Sequence, residues 1–348
     1  MSNTDVTIVV VPRERFSYTA PSLESIYAHT PFPLQLVYVD GGSPRRVARY
    51  LRDQARAKGF TLIRTDPYLS PNEARNLALA QVKTTYVVFI DNDVLVSPGW
   101  LDALVECAEE TGAWIVGPLV MVGEPGHEVI HQAGGAAYIE EVEGRRLFSE
   151  EHFLLERPLK DITTLDRGPT EFVEFHSMLM RTECFKRIGK LDEQLLTMYE
   201  HLDVCMTVRA AGGEVYLEPR AVVSYAPTQP LALSDLPYYF LRWSDDWNES
   251  TNRRFQTKWR LAEDDPSICY SRNWVTEYRQ APLWKLRPLV DRLTRGRSYG
   301  IERSFLAPLE VRICRYVARW AGRDRPRHDS VSHVREERER MDAALRAN

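Results

Sequence analysis

The tripeptide Asp91-Asn92-Asp93 is the strongest chemical signal in the chain. It follows the apolar run Tyr86–Ile90 (YVVFI), which has the continuous β-branched and aromatic character of a strand buried on both faces. If the backbone stays extended, alternate side chains share a face and both carboxylates project together. Two such acids suit a hard divalent cation, Mg²⁺ or Mn²⁺, with positions left open for phosphate oxygens. The plain alternative is a solvated turn, since Asp and Asn are turn formers. Asp40, in VYVDGGS, ends another apolar run and suits a nucleoside; its alternative is turn chemistry with Gly41 and Gly42. Arg75, in PNEARN, suits a phosphate or a base, against a surface ion pair. Further on, Glu200, Asp203 and Thr207 recur at i, i+3 and i+7 on one helix face, after Tyr199 and around His201. Carboxylates there suit a general base, or simply complement the helix N-terminus.

These residues need elements to hold them. Thr7–Val11, Gln35–Asp40, Phe60–Arg64, Tyr86–Asp91 and Trp114–Gly117 read as strands. Between them, Leu23–Thr30, Pro44–Lys58 (closed by Gly59), Pro71–Gln81 and Trp100–Glu110 (with Ser97 as N-cap) read as helices. Strand–helix alternation predicts an α/β fold: an open, mostly parallel twisted sheet with helices on both faces. Ligands of such sheets sit at the carboxyl ends of strands, where Asp40 and Asp91 fall. Residues 118–171 are irregular. Phe172–Met180 reads as a strand, Thr182–Ile188 and Glu200–Ala211 as helices, and Val215–Leu217 as a strand.

Composition limits the alternatives. The chain has 348 residues, 44% hydrophobic and 27% charged, with a net charge of -4, so it is neither disordered nor a nucleic-acid binder by bulk charge. The five scattered cysteines contain no C-x-x-C and fit a reducing, cytoplasmic setting. No apolar run approaches a membrane span. The dinucleotide, P-loop and nucleophile-elbow glycine motifs are absent. His127-Glu128-Val129-Ile130-His131 matches the zinc-protease pattern H-E-x-x-H, but Gly126 before it and Gly134-Gly135 after it leave too short a helix. Residues 281–327 carry 12 Lys/Arg against 4 Asp/Glu, interleaved with Trp284, Leu286, Leu289, Leu293, Phe305, Leu309 and Trp320. That pattern predicts a basic, helical C-terminal extension (261–348) after a main domain (1–260). It would touch an anionic membrane surface, or pack on the main domain or on a second subunit.

Taken in order, TIVVVPRER (7–15), LVYVDGGSP (36–44), NEARNLALA (72–80), VVFIDNDVLVSPGWLDAL (87–104), MLMRTECFKRIGKLDEQL (178–195), YEHLDVCMTVRAAGGEVYLEP (199–219) and FLRWSDDWNESTNRRFQTKW (240–259) resemble a family 2 glycosyltransferase with the GT-A fold. The resemblance implies a nucleotide-sugar-binding and catalytic domain at 1–260. It would move a sugar from a nucleotide diphosphate donor, a UDP-sugar, to an acceptor hydroxyl of a saccharide or glycoconjugate. The reaction would be metal-dependent and inverting. The resemblance also implies that Val11 and Pro12 line the base pocket, Asp40 binds the nucleoside and Arg75 faces the nucleotide. Asp91 and Asp93 would bind ribose and the cation. The family's Glu-Asp pair is here Glu200-His201, followed by Asp203, so the base is sought among Glu200, Asp203 and His201, in that order. The family's late metal-ligand His falls near Tyr225. The contrasting reading is a catalytically inactive GT-A-like sugar-binding or scaffold protein.

Overall fold

The computed structural model describes residues 5–31, 33–123, 129–225, 231–284, 292 and 307–322. Strands β1 (Val6–Val11), β2 (Gln35–Gly41), β3 (Thr61–Thr65) and β4 (Tyr86–Asp91) run parallel in the order β3–β2–β1–β4. Helices α1 (Thr19–His29), α2 (Arg45–Lys58) and α3 (Pro71–Leu79) connect them. Next come β5 (Val94–Val96), α4 (Trp100–Thr111), β6 (Ile115–Val122), β7 (Ile130–Gln132), a hairpin of β8 (Gly135–Val142) and β9 (Arg145–His152), β10 (Gly168–Pro169) and β11 (Ser177–Arg181). The chain continues through α5 (Phe185–Ile188), α6 (Glu200–Ala210), β12 (Val215–Tyr225), α7 (Leu236–Arg242), α8 (Asp245–Trp259), α9 (Pro266–Trp284) and α10 (Ala307–Ala321). Strand β11 lies antiparallel between β4 and β6, and β12 runs parallel to β6. The expected mostly parallel sheet is thus present, with an antiparallel insert at its centre.

The strands have continuous apolar runs because both faces are covered. Val6, Ile8 and Val10 of β1 and Tyr86, Val88 and Ile90 of β4 join one core with Leu23, Leu51 and Leu104 of α1, α2 and α4. Val9, Val11, Val87 and Phe89 join the other, with Ala74 of α3 and Leu202 and Val208 of α6. The period-2 alternation therefore assigns Asp91, two residues after Phe89, to the face covered by α3 and α6.

Several expectations change in detail. Gly99, at φ 77°, caps α4, while Ser97 offers only its carbonyl to Trp100. The strand expected over 172–180 begins only at Ser177. β6 and β12 extend well beyond 114–117 and 215–217, and their register shifts between Glu218 and Val222. The irregular span 118–171 holds the β8–β9 hairpin, whose charged, largely exposed residues hide the strand period. Of the H-E-x-x-H pattern, His127 and Glu128 lie outside the described residues, and Ile130–Gln132 form a strand, not a helix.

Residues on either side of position 260 share packing. The Asp265 carboxylate accepts from the Phe148 amide at 2.6 Å, and Val275 and Cys314 join Tyr239, Phe240 and Trp243 in one apolar cluster. Most of the basic stretch 281–327, and the helix expected over 334–347, lie outside the described residues. Among those described, no helix is long and apolar enough to cross a membrane.

Candidate active site

The site gathers at the carboxyl ends of β1 and β4. Val11 pairs with Asp91 across the two strands, and Pro12 is buried beside them. The backbone of Arg13 donates to Asn92 Oδ1 at 2.6 Å, and Asn92 Nδ2 reaches Arg15 O and Thr19 Oγ1, both at 3.2 Å. Asn92 thus ties the β1–α1 loop to the end of β4. Its side chain is buried and bonded to that loop.

Residues 92 and 93 form a turn, so the expected extended alternation does not hold there. The carboxylates still act on one another. Asp91 and Asp93 are fully buried. Asp91 faces Arg75 Nη2 at 3.3 Å and Arg13 Nε at 3.5 Å; burial works against its charge, but these cations outweigh it and hold its pKa below the usual range. Both oxygens of Asp93 lack hydrogen-bond partners. Burial, and then the charge on Asp91, raise the Asp93 carboxyl to about 7. A buried acid with two bare oxygens beside a second acid is a strong donor set for a cation.

Arg75 is not a surface ion pair. A capping box at Ser70 and Glu73, with Pro71 at the first position, starts α3 and fixes its rotation. Asn72 and Asn76 then bond the backbone at Asp192 and Leu191, at 2.9 and 2.8 Å, while Arg75 lies fully buried over the Phe175 ring at 3.6 Å. Burial lowers its pKa to about 10, against the pull of Asp91, and it stays charged at neutral pH. Asp40 is buried at the end of β2, held by Arg64 and by the Ser43 amide at 3.0 Å. Both the expected strand-end placement and the turn chemistry are therefore present in this one residue.

A second group of side chains, unassigned by the sequence reading, adjoins the acids. Residues 172–174 cross β6 and β8, and residues 175 and 176 form a turn that leads into β11. They fit because Gly117 and Gly135 lack side chains: an added Cβ would meet Val173 at 2.4 Å and Phe172 at 2.2 Å. Glu174 and His176 meet across this turn. His176 Nδ1 lies 3.4 Å from Asp91 Oδ2, and its Nε2 lies 3.1 Å from Glu174 Oε2. His131 Nε2, from β7, approaches the same oxygen at 3.2 Å, and His152 Nδ1, from β9, lies 3.6 Å from Glu174 Oε1. The Tyr225 ring stacks on His176 at 4.1 Å. The ligand atoms of His131, Glu174 and His176 all fall within 4.8 Å of one another.

At the start of α6 the three expected residues diverge. Tyr199, at φ 64°, turns the chain into the helix. Glu200 is buried, 3.6 Å from Arg242 Nη2, with Oε1 lacking a hydrogen-bond partner. The His201 ring lies by Phe172, with Nε2 also unpartnered, and burial lowers its pKa to about 4. Asp203 turns away: its oxygens accept from Lys258 Nζ at 2.8 Å and Trp259 Nε1 at 3.0 Å, both on α8.

The Glycosyl transferase family 2 model matches residues 7–189. The chain belongs to glycosyl transferase family 2. Among family relatives, it is 26% identical over 240 residues to the uncharacterized protein y4gI of Sinorhizobium fredii, covering 67% of this chain and 25% of that protein. It is 24% identical over 227 residues to the pre-mycofactocin glycosyltransferase of Mycobacterium tuberculosis, covering 64% of this chain and 43% of that protein. The chain thus spans less than half the length of these curated relatives. A crystal structure of GalNAc-T7 with UDP, GalNAc and Mn²⁺ superposes with a TM-score of 0.50 at 16% identity, over 78% of this chain and 55% of that one, a likeness of fold.

Within this family 2 chain, the fold brings Val11, Pro12, Arg75, Asp91 and Asp93 together. Glu200 joins them through Arg242, whose Nε lies 3.5 Å from Glu14 Oε1 in the loop after β1. Sequence reasoning passed over Arg13, Glu14, Glu174, His176 and Arg242. The available signal for two of them was a pair of ionisable residues inside the otherwise apolar run FVEFHSMLM.

Proposed function

We propose that the chain transfers a sugar from a nucleotide diphosphate donor, a UDP-sugar, to an acceptor hydroxyl on a saccharide or glycoconjugate, with a divalent cation and with inversion. The observation that carries this reading is the buried, unpartnered Asp93 carboxylate beside Asp91, between strand ends and near the buried Arg75 and the partly buried Arg13. Asp93 and Asp91 would hold Mn²⁺ or Mg²⁺. When bound, the cation supplies neutralising charge for the leaving diphosphate. Arg13 and Arg75 contribute fixed positive charge on the same side and cost no reorganisation during the reaction. Pro12 and Asp40 line the nucleoside end.

We assign the general base to Glu200. Its Oε1 accepts no hydrogen bond and lies 3.6 Å from Arg242 Nη2, and an ionised carboxylate can take the acceptor proton as the new bond forms. Asp203 is committed to Lys258 and Trp259, so His201 becomes the second choice. We further infer that α10 attaches the chain peripherally to an anionic membrane surface. Leu309, Ile313, Tyr316 and Trp320 recur on one exposed face beside Arg312 and Arg319. Sedimentation with anionic vesicles at low salt tests it, and absence of binding rejects it.

The main reading is tested by titrating the full chain with UDP and Mn²⁺ in a calorimeter, then assaying a panel of UDP-sugars for turnover. Metal-dependent UDP binding with donor turnover is expected. Binding without turnover of any donor would favour the inactive scaffold; no binding at all would overturn the donor site.

A further inference from the structure

The Asp91–Asp93 corner accounts for one cation. The cluster on the far side of His176 has a different chemistry. Glu174 Oε2 is buried and makes no hydrogen bond, although two imidazole nitrogens approach it, His176 Nε2 at 3.1 Å and His131 Nε2 at 3.2 Å. Neither contact has hydrogen-bond geometry, so the three atoms are close without being aimed at one another. Ligands around one small ion are arranged in this way. Two donors each about 2.1 Å from a tetrahedral metal are about 3.4 Å apart, close to the two imidazole–carboxylate separations, and all three atoms lie within 4.8 Å of one another. The backbone supplies the three groups from well-braced positions: His131 from β7, Glu174 just after Phe172 and Val173 where these pack over Gly135 and Gly117, and His176 from the turn before β11.

We propose that His131 Nε2, Glu174 Oε2 and His176 Nε2 form a second metal site, one that takes a divalent first-row transition ion such as Zn²⁺ or Co²⁺ and excludes Mg²⁺. Two imidazoles and one carboxylate suit such ions, whereas Mg²⁺ demands oxygen ligands. Three protein ligands leave a fourth position open. The surroundings fit as well. Metal-bound imidazoles usually have a carboxylate behind the other nitrogen, and Asp91 Oδ2 lies 3.4 Å from His176 Nδ1. His152 Nδ1, 3.6 Å from Glu174 Oε1, sits behind the second carboxylate oxygen, and Tyr225 stacks on His176. Asp91 would then serve two ions, one directly and one through His176.

The test strips the full chain of metal with a chelator and titrates Co²⁺, read by its visible absorption. No nucleotide is present, so the outcome does not depend on whether the chain transfers a sugar. One Mg²⁺-resistant Co²⁺ per chain is expected, displaced by Zn²⁺, whereas any Co²⁺ held at the Asp91–Asp93 corner should be competed away by excess Mg²⁺. His131→Ala and Glu174→Gln should abolish the band. Asp91→Asn should weaken binding by about 10- to 100-fold, and Asp93→Asn should leave it intact. His131 is a partly exposed residue, so His131→Ala keeps the test open if variants at the more buried Glu174 melt early by circular dichroism. No band in the native chain, a band that survives both His131→Ala and Glu174→Gln in folded protein, or a band lost in folded Asp93→Asn would each overturn the site.

Discussion

The corner at Asp91–Asp93 and the corner at Glu174–His176 meet across a 3.4 Å contact, yet they are built in opposite ways. The first is local. One strand end delivers both acids within three residues, and its cations come from the next loop and the next helix. The second is assembled from β7, the end of β9 and a crossing segment that ends in a turn, and it exists only because two glycines let that segment pass. The comparison teaches that a site made by one strand end is fragile to single side chains. A site made by a crossing segment is fragile to the backbone packing beneath it.

The sharpest break is expected at Asp93. Asp93→Ala should abolish metal-dependent UDP binding in calorimetry, because it removes the only side chain of the corner with two free oxygens. Retained metal dependence would remove the corner from the donor site. Asn92→Ala should act differently: donor affinity should change little, while stability should fall by about 1–3 kcal/mol, since one backbone amide and two loop acceptors lose their partner. Denaturant melts read that difference.

The two acids of α6 give the next contrast. Glu200→Gln should keep fold and UDP binding and cut transfer by at least ~100-fold. Asp203→Asn should instead lower stability, because it leaves Lys258 and Trp259 bonded to a weaker partner. If Glu200→Gln stays active while His201→Ala is folded and dead, the base moves to His201.

Much of the first corner was legible from sequence, and the second was not, for a physical reason. YVVFIDND carries its own geometry: an apolar run sets a strand, the strand sets a face, and the acids fall at its end. PNEARN likewise announces a helix start, although only packing could show that Arg75 lies buried on Phe175. Sequence spacing says nothing of His131 meeting Glu174, 43 residues apart, because a short strand and a long hairpin intervene. The departure at 172–176 from the expected strand has the same origin. Gly117 and Gly135 let Val173 and Phe172 pass close over β6 and β8, and residues 175 and 176 turn before β11 begins, so most of the run never joins the ladder. Gly117→Ala tests that account. The new methyl would press on Val173, costing about 1–3 kcal/mol and shifting Glu174 and His176. The Asp91–Asp93 corner should still bind UDP with metal.

The smallest expected effect separates Asp93 from His201 on α6 by pH. The Asp93 carboxyl is raised to about 7 in the folded chain, first by burial and then by Asp91. Its folded-state pKa exceeds the unfolded value of about 3.9, so the folded state binds the extra proton. Its contribution to stability is full at acid pH and is lost as pH rises through about 7. His201 behaves in the opposite sense. Burial lowers it to about 4, below the unfolded value of about 6.5, so the unfolded chain takes up the extra proton. Its contribution is full above about 6.5 and is lost as pH falls toward 4. His201 as a residue is only partly buried, so the loss should be about 1–2 kcal/mol rather than the full linkage value. Thermal melts of metal-free protein from pH 4 to 7 resolve the two. Compared with the native chain, Asp93→Asn should gain relative stability toward pH 7, and His201→Gln should gain it toward pH 4. Parallel melting profiles for the native chain and His201→Gln would mean that the ring is not neutral and desolvated in the fold, and His201 would then lose its standing as the second choice for the base.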